Sequence, residues 1–393
     1  MSGQKAQKGI LMRKTKLLIF LITLVLVQVS AFAQNQVASP SNVVANSGSK
    51  KIVGLTPDQV RHAYGFDLIT NKGLGQTIAI IDAYDHPNIE SDLAVFSQAF
   101  GLPECTTANG CFEKAYAQGS QPATDPSWAV EIALDVEWAH AIAPAAKILL
   151  VEASSATVAN LIAGVDLAIS RGATAISMSW GAPEFSGQLA FDTHFSASNV
   201  TFVAAAGDFG NPGTWPAASP SVVSVGGTKL QLNNNGEVST ENAWKESGGG
   251  FSALELEPLY QALFGIPSNP GVRGVPDVAY AADPSKGFAV YTTVPGPAGW
   301  SQVGGTSAGA PQWAALIAIA NSLRVSAGKA PLTGSNAALY AAYSAANYRD
   351  ITSGNNTNGH CGPICTAAVG YDYITGLGSP RANNLVAALV AAP

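Results

Sequence analysis

Thr77-Ile78-Ala79-Ile80-Ile81-Asp82 is a continuous apolar run that ends in a carboxylate. It lacks the period-two alternation of a half-exposed strand. It reads as a strand buried on both faces, the habit of parallel sheets, with Asp82 at its C-terminal end. Outward from it the chain keeps alternating. Ile89 to Phe100 has helix spacing, Trp128 to His140 is a second helix, and Lys147 to Glu152 a strand. Val158 to Arg171 is a helix and Ala175 to Ser179 a strand; Leu189 to Ser196 is a helix and Thr201 to Ala206 a strand; Val222 to Gly226 is a further short strand. This order predicts an α/β protein, a mostly parallel twisted sheet with helices on both faces. Ligands on such sheets bind beyond the strand C-termini. Asp82, Ser179-Trp180 and Gly207-Asp208 are therefore expected along one edge.

The N-terminus reads as a targeting segment. Lys5, Lys8, Arg13, Lys14 and Lys16 form a basic region, and Leu17 to Val27 an apolar one too short for a comfortable membrane span. Ala31-Phe32-Ala33 has the small-residue spacing of a cleavage site, so residues 1–33 are assigned as a signal peptide. The competing reading is an uncleaved anchor. Cleavage leaves 15 basic residues against 26 acidic ones, a net charge of −11. A protein this acidic is a poor partner for nucleic acid or an anionic membrane. Only 12% of the residues are charged. That low density suits work in acid, where protonation of the carboxylates would otherwise leave a strongly repelling positive surface.

Residues 34–54, polar and rich in Ser, Asn and Gly, read as a disordered linker. Residues 55–393 read as one domain without internal repeats. The cysteines fall into two local pairs, Cys105 with Cys111 and Cys361 with Cys365. Four cysteines allow three pairings, and a secreted chain favours two short-loop disulfides. A zinc site made from these cysteines and His360 is the alternative.

Three stretches carry chemistry. In Gly304-Gly305-Thr306-Ser307-Ala308-Gly309-Ala310-Pro311, a strand-like run from Trp300 leads to a serine just before a long apolar helix, Gln312 to Val325. Unpaired N–H groups at a helix N-terminus suit a nucleophile whose attack creates an oxyanion. The plainer reading is a helix-capping serine. Glu131 and Asp135 lie four apart on one helix, hence on one face one turn apart. Neighbouring carboxyls repel, which raises a pKa toward what a general base in acid needs. The plainer reading is an exposed acidic face, which Glu137 fits. Ala206-Gly207-Asp208 ends an apolar strand in a glycine turn. Asp208 is either a turn former or a protonated acid that donates to an oxyanion.

Taken together, Gly305-Thr306-Ser307 with Pro311, Glu131 with Asp135, and Ala206-Gly207-Asp208 resemble the sedolisins, serine-carboxyl peptidases of subtilisin-like fold. The resemblance runs from about Leu55 to Pro380, with the motifs in the family's order. It implies Ser307 as nucleophile, Glu131 as general base, Asp135 as its support and Asp208 in the oxyanion hole. Asp82 and Trp180 resemble accessory positions of the same hydrogen-bond network. Asp350-Ile351-Thr352-Ser353-Gly354 and Gly370-Tyr371-Asp372 resemble the family's calcium site. The side chains of Asp350 and Asp372 and the carbonyls of Ile351, Ala368 and Gly370 would hold one structural Ca²⁺. Ala368 stands where the family often has glycine. The pair of aspartates is otherwise a pair of turn formers. The resemblance also implies a large pro-domain, whereas here a short linker leads into Leu55-Thr56-Pro57. That departure puts activation by pro-domain removal in doubt, the two readings being a chain that folds unaided and a divergent branch.

The chemistry is consistent without the family. A histidine base is charged and idle well below its pKa of about 6.5, where a carboxylate still accepts a proton. The reading is thus a secreted, acid-active peptidase, monomeric, acting on protein or peptide substrates. The alternatives are a neutral subtilisin with an Asp-His-Ser triad and an inactive secreted binding protein of the same fold. The triad needs a histidine in a His-Gly-Thr-like turn. None of His62, His86, His140, His194 and His360 occupies one, and all five read as surface or packing residues.

Overall fold

The computed structural model describes residues 35–357 and 360–393. The proposed signal peptide lies outside the described residues. Its continuation does not behave as a linker. Residues 35–54, expected to be disordered, form β1 (Ser39–Pro40) and β2 (Val43–Ser49) and lie against the body of the protein. Their polar composition misled because backbone pairing, not side-chain burial, orders them.

A capped helix, α1 (Pro57–Tyr64), opens the domain. Thr56 and Gln59 cap it reciprocally, and Pro57 fills its first turn. The body then alternates as the periodicity predicts. β3 (Thr77–Ala83) leads to α2 (Ile89–Phe100), and β4 (Phe112–Tyr116) to α3 (Pro126–Ile142). β5 (Lys147–Ala153) leads to α4 (Val158–Ser170), followed by β6 (Ala175–Met178) and β7 (Trp180–Gly181). The helix expected over Leu189 to Ser196 is instead two short 3-10 turns, Gln188–Ala190 and Asp192–Phe195. β8 (Thr201–Ala205) and a long β9 (Val222–Leu232) follow, and β9 turns back into β10 (Val238–Ala243).

These strands form an eight-stranded sheet in the order β10-β9-β8-β6-β3-β5-β4, with β13 (Val278–Ala281) also on β9. All of its pairings are parallel except β9 with β10. β3 lies between β5 and β6, and the connection leaving β3 runs toward β4 at one edge while the connection leaving β6 runs the opposite way to β8. That switch point opens a crevice beyond the strand ends, where ligands of such sheets bind.

The apolar run of β3 is continuous because both faces are covered. Ile78 and Ile80 pack with α3 and α6 (Gly309–Ser326) in one core. Ala79 and Ile81 pack with Leu161 and Val165 of α4 in the other. Both α3 and α6 are buried almost all round. Glu137, read as surface, is fully buried on α3 and accepts a hydrogen bond from the Tyr291 N–H.

The remaining elements frame the cleft. β11 (Gly250–Leu256) pairs with β12 (Val272–Val275), and α5 (Leu259–Phe264) lies between them in sequence. β14 (Phe288–Thr292), β15 (Gly299–Gly304) and β2 form a three-stranded antiparallel sheet. α7 (Asn336–Ala341), the short pair β16 (Tyr348–Arg349) and β17 (Ser379–Pro380), and α8 (Ala382–Ala391) close the chain. Cys105 is bonded to Cys111 and Cys361 to Cys365, as expected. Among the described residues, no helix is long and apolar enough to cross a membrane.

Candidate active site

β15 delivers the chain into a 3-10 turn, Thr306–Ala308, that runs directly into α6. Gly305 makes the entry possible. Its φ is 107°, a region that strongly favours glycine, and its N–H is held by the Ala282 carbonyl at 2.7 Å. Ser307 is therefore buried at the head of a helix, as its sequence position implied.

Ser307 Oγ donates to Glu131 Oε2 at 3.0 Å and lies 3.1 Å from the Ser179 carbonyl oxygen. Glu131 comes from the middle of α3, whose start is set by the Asp125 cap and Pro126. Asp135 sits one turn further on, fully buried. Asp82, two residues beyond Ile80, takes the same face of β3 and is also fully buried. Burial, then the charge of Asp82, pushes Glu131 well above the usual carboxyl range. Asp135 is raised by burial and by the charges of Asp82 and Glu131. Burial alone raises Asp82 to about 8. Neither carboxyl oxygen of Asp82 has a hydrogen-bond partner among the described residues. Glu131 is different, since two donors, Asn42 Nδ2 and Ser307 Oγ, meet its Oε2 and favour its charged form. The three buried carboxyls titrate as one coupled group, in which Glu131 alone has hydrogen-bond donors on its charged form from Asn42 and Ser307.

Asp208 stands on the other side of the serine. Its Oδ1 accepts from the Thr306 N–H at 2.8 Å and from Thr306 Oγ1 at 2.7 Å. Its Oδ2 is buried without a partner among the described residues. Burial raises its pKa to about 7, so in acid it carries a proton. With Oδ1 occupied as an acceptor, that proton belongs on Oδ2.

The sequence reading missed what fills the space between these groups. The Ser307 N–H donates to the Ser41 carbonyl oxygen at 3.1 Å, and the Ser41 N–H donates to the Ser179 carbonyl at 3.1 Å. A methyl group placed on Gly305 would meet both the Ser41 oxygen and Asp208 Oδ2, which locates the two beside each other. β1 pairs antiparallel with β7, placing Pro40 opposite Trp180, and β2 pairs antiparallel with β15. The Asn42 amide reaches Glu131 Oε2 at 2.8 Å. A single extended strand therefore crosses the crevice with one peptide carbonyl facing the Ser307 N–H. No residue pattern in 35–49 announces this.

Trp180 is fully buried, and its indole N–H is held by the Ile81 carbonyl at 2.9 Å, so it ties β7 to β3 beneath that strand. All five histidines lie elsewhere. His62 meets Asp67, His86 meets Asp92, His194 meets Asp166, His140 meets the Pro103 carbonyl, and His360 is exposed.

The proposed calcium residues gather in one loop region. Asp350 Oδ2 accepts from the Gly370 N–H at 2.9 Å, while its Oδ1 is buried without a partner among the described residues. Asp372 accepts from the Ile374 and Thr375 N–H groups and Thr375 Oγ1, each at 2.9 Å, and from the Ala368 N–H at 3.3 Å. An orphaned buried carboxylate oxygen in a loop region that also carries a second carboxylate fits a hard cation.

A serine opposed by carboxyls, at the C-terminal edge of a doubly covered parallel sheet, defines a subtilisin-like α/β protein of the carboxyl-assisted class. The comparisons agree. The sequence profile of the subtilase family matches residues 127–346. Kumamolisin from Bacillus sp. (strain MN-32) is 35% identical over 384 residues, covering 88% of this chain and 65% of the relative. Tripeptidyl-peptidase 1 from Dictyostelium discoideum is 29% identical, covering 84% and 58%. A solved Pseudomonas sedolisin, a serine-carboxyl proteinase complexed with two molecules of pseudo-iodotyrostatin, superposes with a TM-score of 0.75. It is 27% identical over 86% of this chain and 98% of that one. The chain belongs to the subtilase family and, within it, to the sedolisins. It spans less than two thirds of the length of these curated relatives.

Proposed function

We propose that this chain is a secreted, acid-active serine-carboxyl peptidase that cleaves peptide bonds through an acyl-enzyme on Ser307. The carrying observation is the convergence of Ser307 Oγ on Glu131 Oε2 and of the Ser307 N–H and the free Asp208 Oδ2 on one peptide carbonyl. Glu131 takes the hydroxyl proton as Oγ attacks the carbonyl carbon. The oxyanion receives the Ser307 N–H and the Asp208 proton. Glu131 then returns its proton to the leaving amine, and water hydrolyses the ester by the same steps. Asp82 and Asp135 keep protons nearby so that Glu131 holds the charge.

A histidine-based mechanism has no support among the described residues, because each buried histidine is committed elsewhere. The Asp350–Asp372 region is proposed to hold one Ca²⁺, with the carbonyls of Ile351, Ala368 and Gly370. The ion would supply charge that neutralises two carboxylates and ties the loops together. The test is digestion of a peptide library in acid, with product ends mapped. The wild type is expected to cut. Ser307→Ala is expected to fold with an unchanged circular dichroism spectrum and to lose turnover. Retained turnover in that variant rules out the assignment.

A further inference from the structure

The turn that carries Asp208, from Gly207 to Asn211, is held at both ends. At its start the Gly207 N–H donates to Thr306 Oγ1 at 3.1 Å, and the Gly207 carbonyl accepts from the Gly248 N–H at 2.6 Å. Its far end meets two segments. The Gly210 N–H donates to the Glu246 carbonyl at 2.9 Å, and Asn211 Nδ2 to the Gly249 carbonyl at 2.9 Å. The Asn211 N–H donates to Thr357 Oγ1 at 2.7 Å, a partner 146 residues away in sequence.

Thr357 joins those two segments. Its own N–H donates to the Lys245 carbonyl at 3.1 Å, and Nδ2 of the neighbouring Asn356 donates to the Ser247 carbonyl at 2.8 Å. One residue therefore fastens both the turn and the stretch 245–249 that backs it. Its backbone is strained in doing so. Thr357 has φ 46°, a left-handed conformation that β-branched residues avoid. Gly210 is matched to the same contact, since its φ is 76° and a methyl group there would collide with Thr357 Oγ1. Strain of this kind persists where the surrounding structure over-determines it, and it gathers at functional sites. Here the Asn356 N–H is fixed on the Cys365 carbonyl at 3.1 Å, beside the Cys361–Cys365 bond.

Resting on the peptidase reading above, we propose that Thr357 is a positioning residue for the reaction: by holding the Asn211 N–H, its hydroxyl oxygen keeps Asp208 Oδ2 aimed at the oxyanion and shielded from water. It acts through Asp208 and takes no part in bond making. Burial raises Asp208 to about 7; the bonds from Thr306 lower it and the charge of Glu246 raises it. Glu131 faces the same serine from α3 and is itself raised by the Asp208 charge. If the far clamp opens, water reaches Asp208 and the effect of burial shrinks. Its pKa then falls toward the ordinary carboxyl range, and with it the pH above which Asp208 stops donating.

The experiment measures kcat and KM against pH on a fluorogenic peptide, with melting curves on the same samples. Thr357→Val keeps the β-branched shape and removes the acceptor. It is expected to lower kcat about tenfold, short of the roughly 100–1000-fold of a donor removed outright. KM should stay near that of the wild type, and the alkaline limb should move to lower pH. Thr357→Ser keeps the oxygen and should match the wild type in kcat and limb. Thr357→Gly suits the backbone angle and lacks the oxygen, so it should reproduce Thr357→Val, and it replaces that variant if valine prevents folding. In Asp208→Asn/Thr357→Val the alkaline limb is expected where Asp208→Asn alone leaves it. A lower melting temperature with unchanged kcat and limb in the valine and glycine variants shows a purely structural role and overturns the proposal. A limb that still moves in the double variant shows that Thr357 acts elsewhere and also overturns it. Either result, in a chain whose wild type cuts the peptide, leaves the peptidase reading standing. A wild type that cuts nothing overturns both.

Discussion

At the scale of residues, the proposed mechanism requires two kinds of carboxyl in opposite charge states. Glu131 must be ionised to take the Ser307 proton, and Asp208 must be protonated to donate. Their joint population gives a bell-shaped profile on the acid side. Asp208, raised to about 7 by burial, is protonated below that pH and ionised above it, so in this mechanism it is expected to set the falling alkaline limb. Asp208→Asn keeps an N–H donor at every pH. It is expected to stay measurably active and to carry its alkaline limb to higher pH. Asp208→Ala should lose on the order of 100–1000-fold at every pH, the usual cost of an oxyanion donor. Glu131→Gln should lose activity throughout. An unmoved alkaline limb in Asp208→Asn, read from kcat/KM against pH, would remove Asp208 from the oxyanion role.

At the scale of elements, the turn from Gly304 to Ala308 and the start of α3 place the chemistry, and the C-terminal loops brace them. The Gly376 N–H donates to the Asp372 carbonyl and the Asp372 N–H to the Gly376 carbonyl across a tight turn, and the Leu377 N–H donates to the Asp277 carbonyl just before β13. A cation between Asp350 and Asp372 would therefore stiffen the loops that abut the sheet. Calcium at about 100 times its Kd is expected to add about 2.7 kcal/mol to stability. For a domain of this size that is roughly 4 °C in melting temperature. A calcium chelator near neutral pH should lower the melting temperature by that much, and Asp350→Asn should abolish the calcium-dependent part. A melting curve indifferent to calcium in active protein would count against the site.

At the scale of the whole molecule, a cluster of buried carboxyls moves the stability optimum into acid. Asp82 and Asp208 rise from an ordinary 3.8 to about 8 and about 7. Glu131, Asp135 and Glu137 are raised as well, with burial the leading cause for each. A carboxyl raised in the fold stabilises it while protonated. That contribution is fully present below the unfolded pKa of about 4 and is lost as pH climbs through the folded values. At fixed calcium, the melting temperature should fall between about pH 4 and about pH 8. Asp82→Asn, which cannot ionise, should flatten the descent. A melting temperature that rises across this window would show that these carboxyls are ionised in the fold at acid pH. The low charge density is consistent with such a chain, since only 12% of its residues carry charge.

What the sequence determined by itself is local. β3 and α2 appear where apolar runs and helix spacing place them, because both patterns are written in consecutive residues. Ser307, the Glu131–Asp135 pair and Asp208 stand in short motifs that each have a plainer local reading, and it is the resemblance to the sedolisins that implies their roles. Tertiary structure decided the rest. Glu137 looked like surface because its helix carries carboxyls among apolar residues, and only the packing of β14 on α3 shows that it is inside. Leu189 to Ser196 has helix spacing but takes 3-10 turns, with Phe195 packed against Trp215 and Phe202. Residues 35–49 looked disordered because their side chains are small and polar. Their order comes from backbone bonds to β7 and β15, strands far away in sequence. Every residue type but proline carries the same backbone donor and acceptor, so composition says nothing about which sheet edge a segment will find.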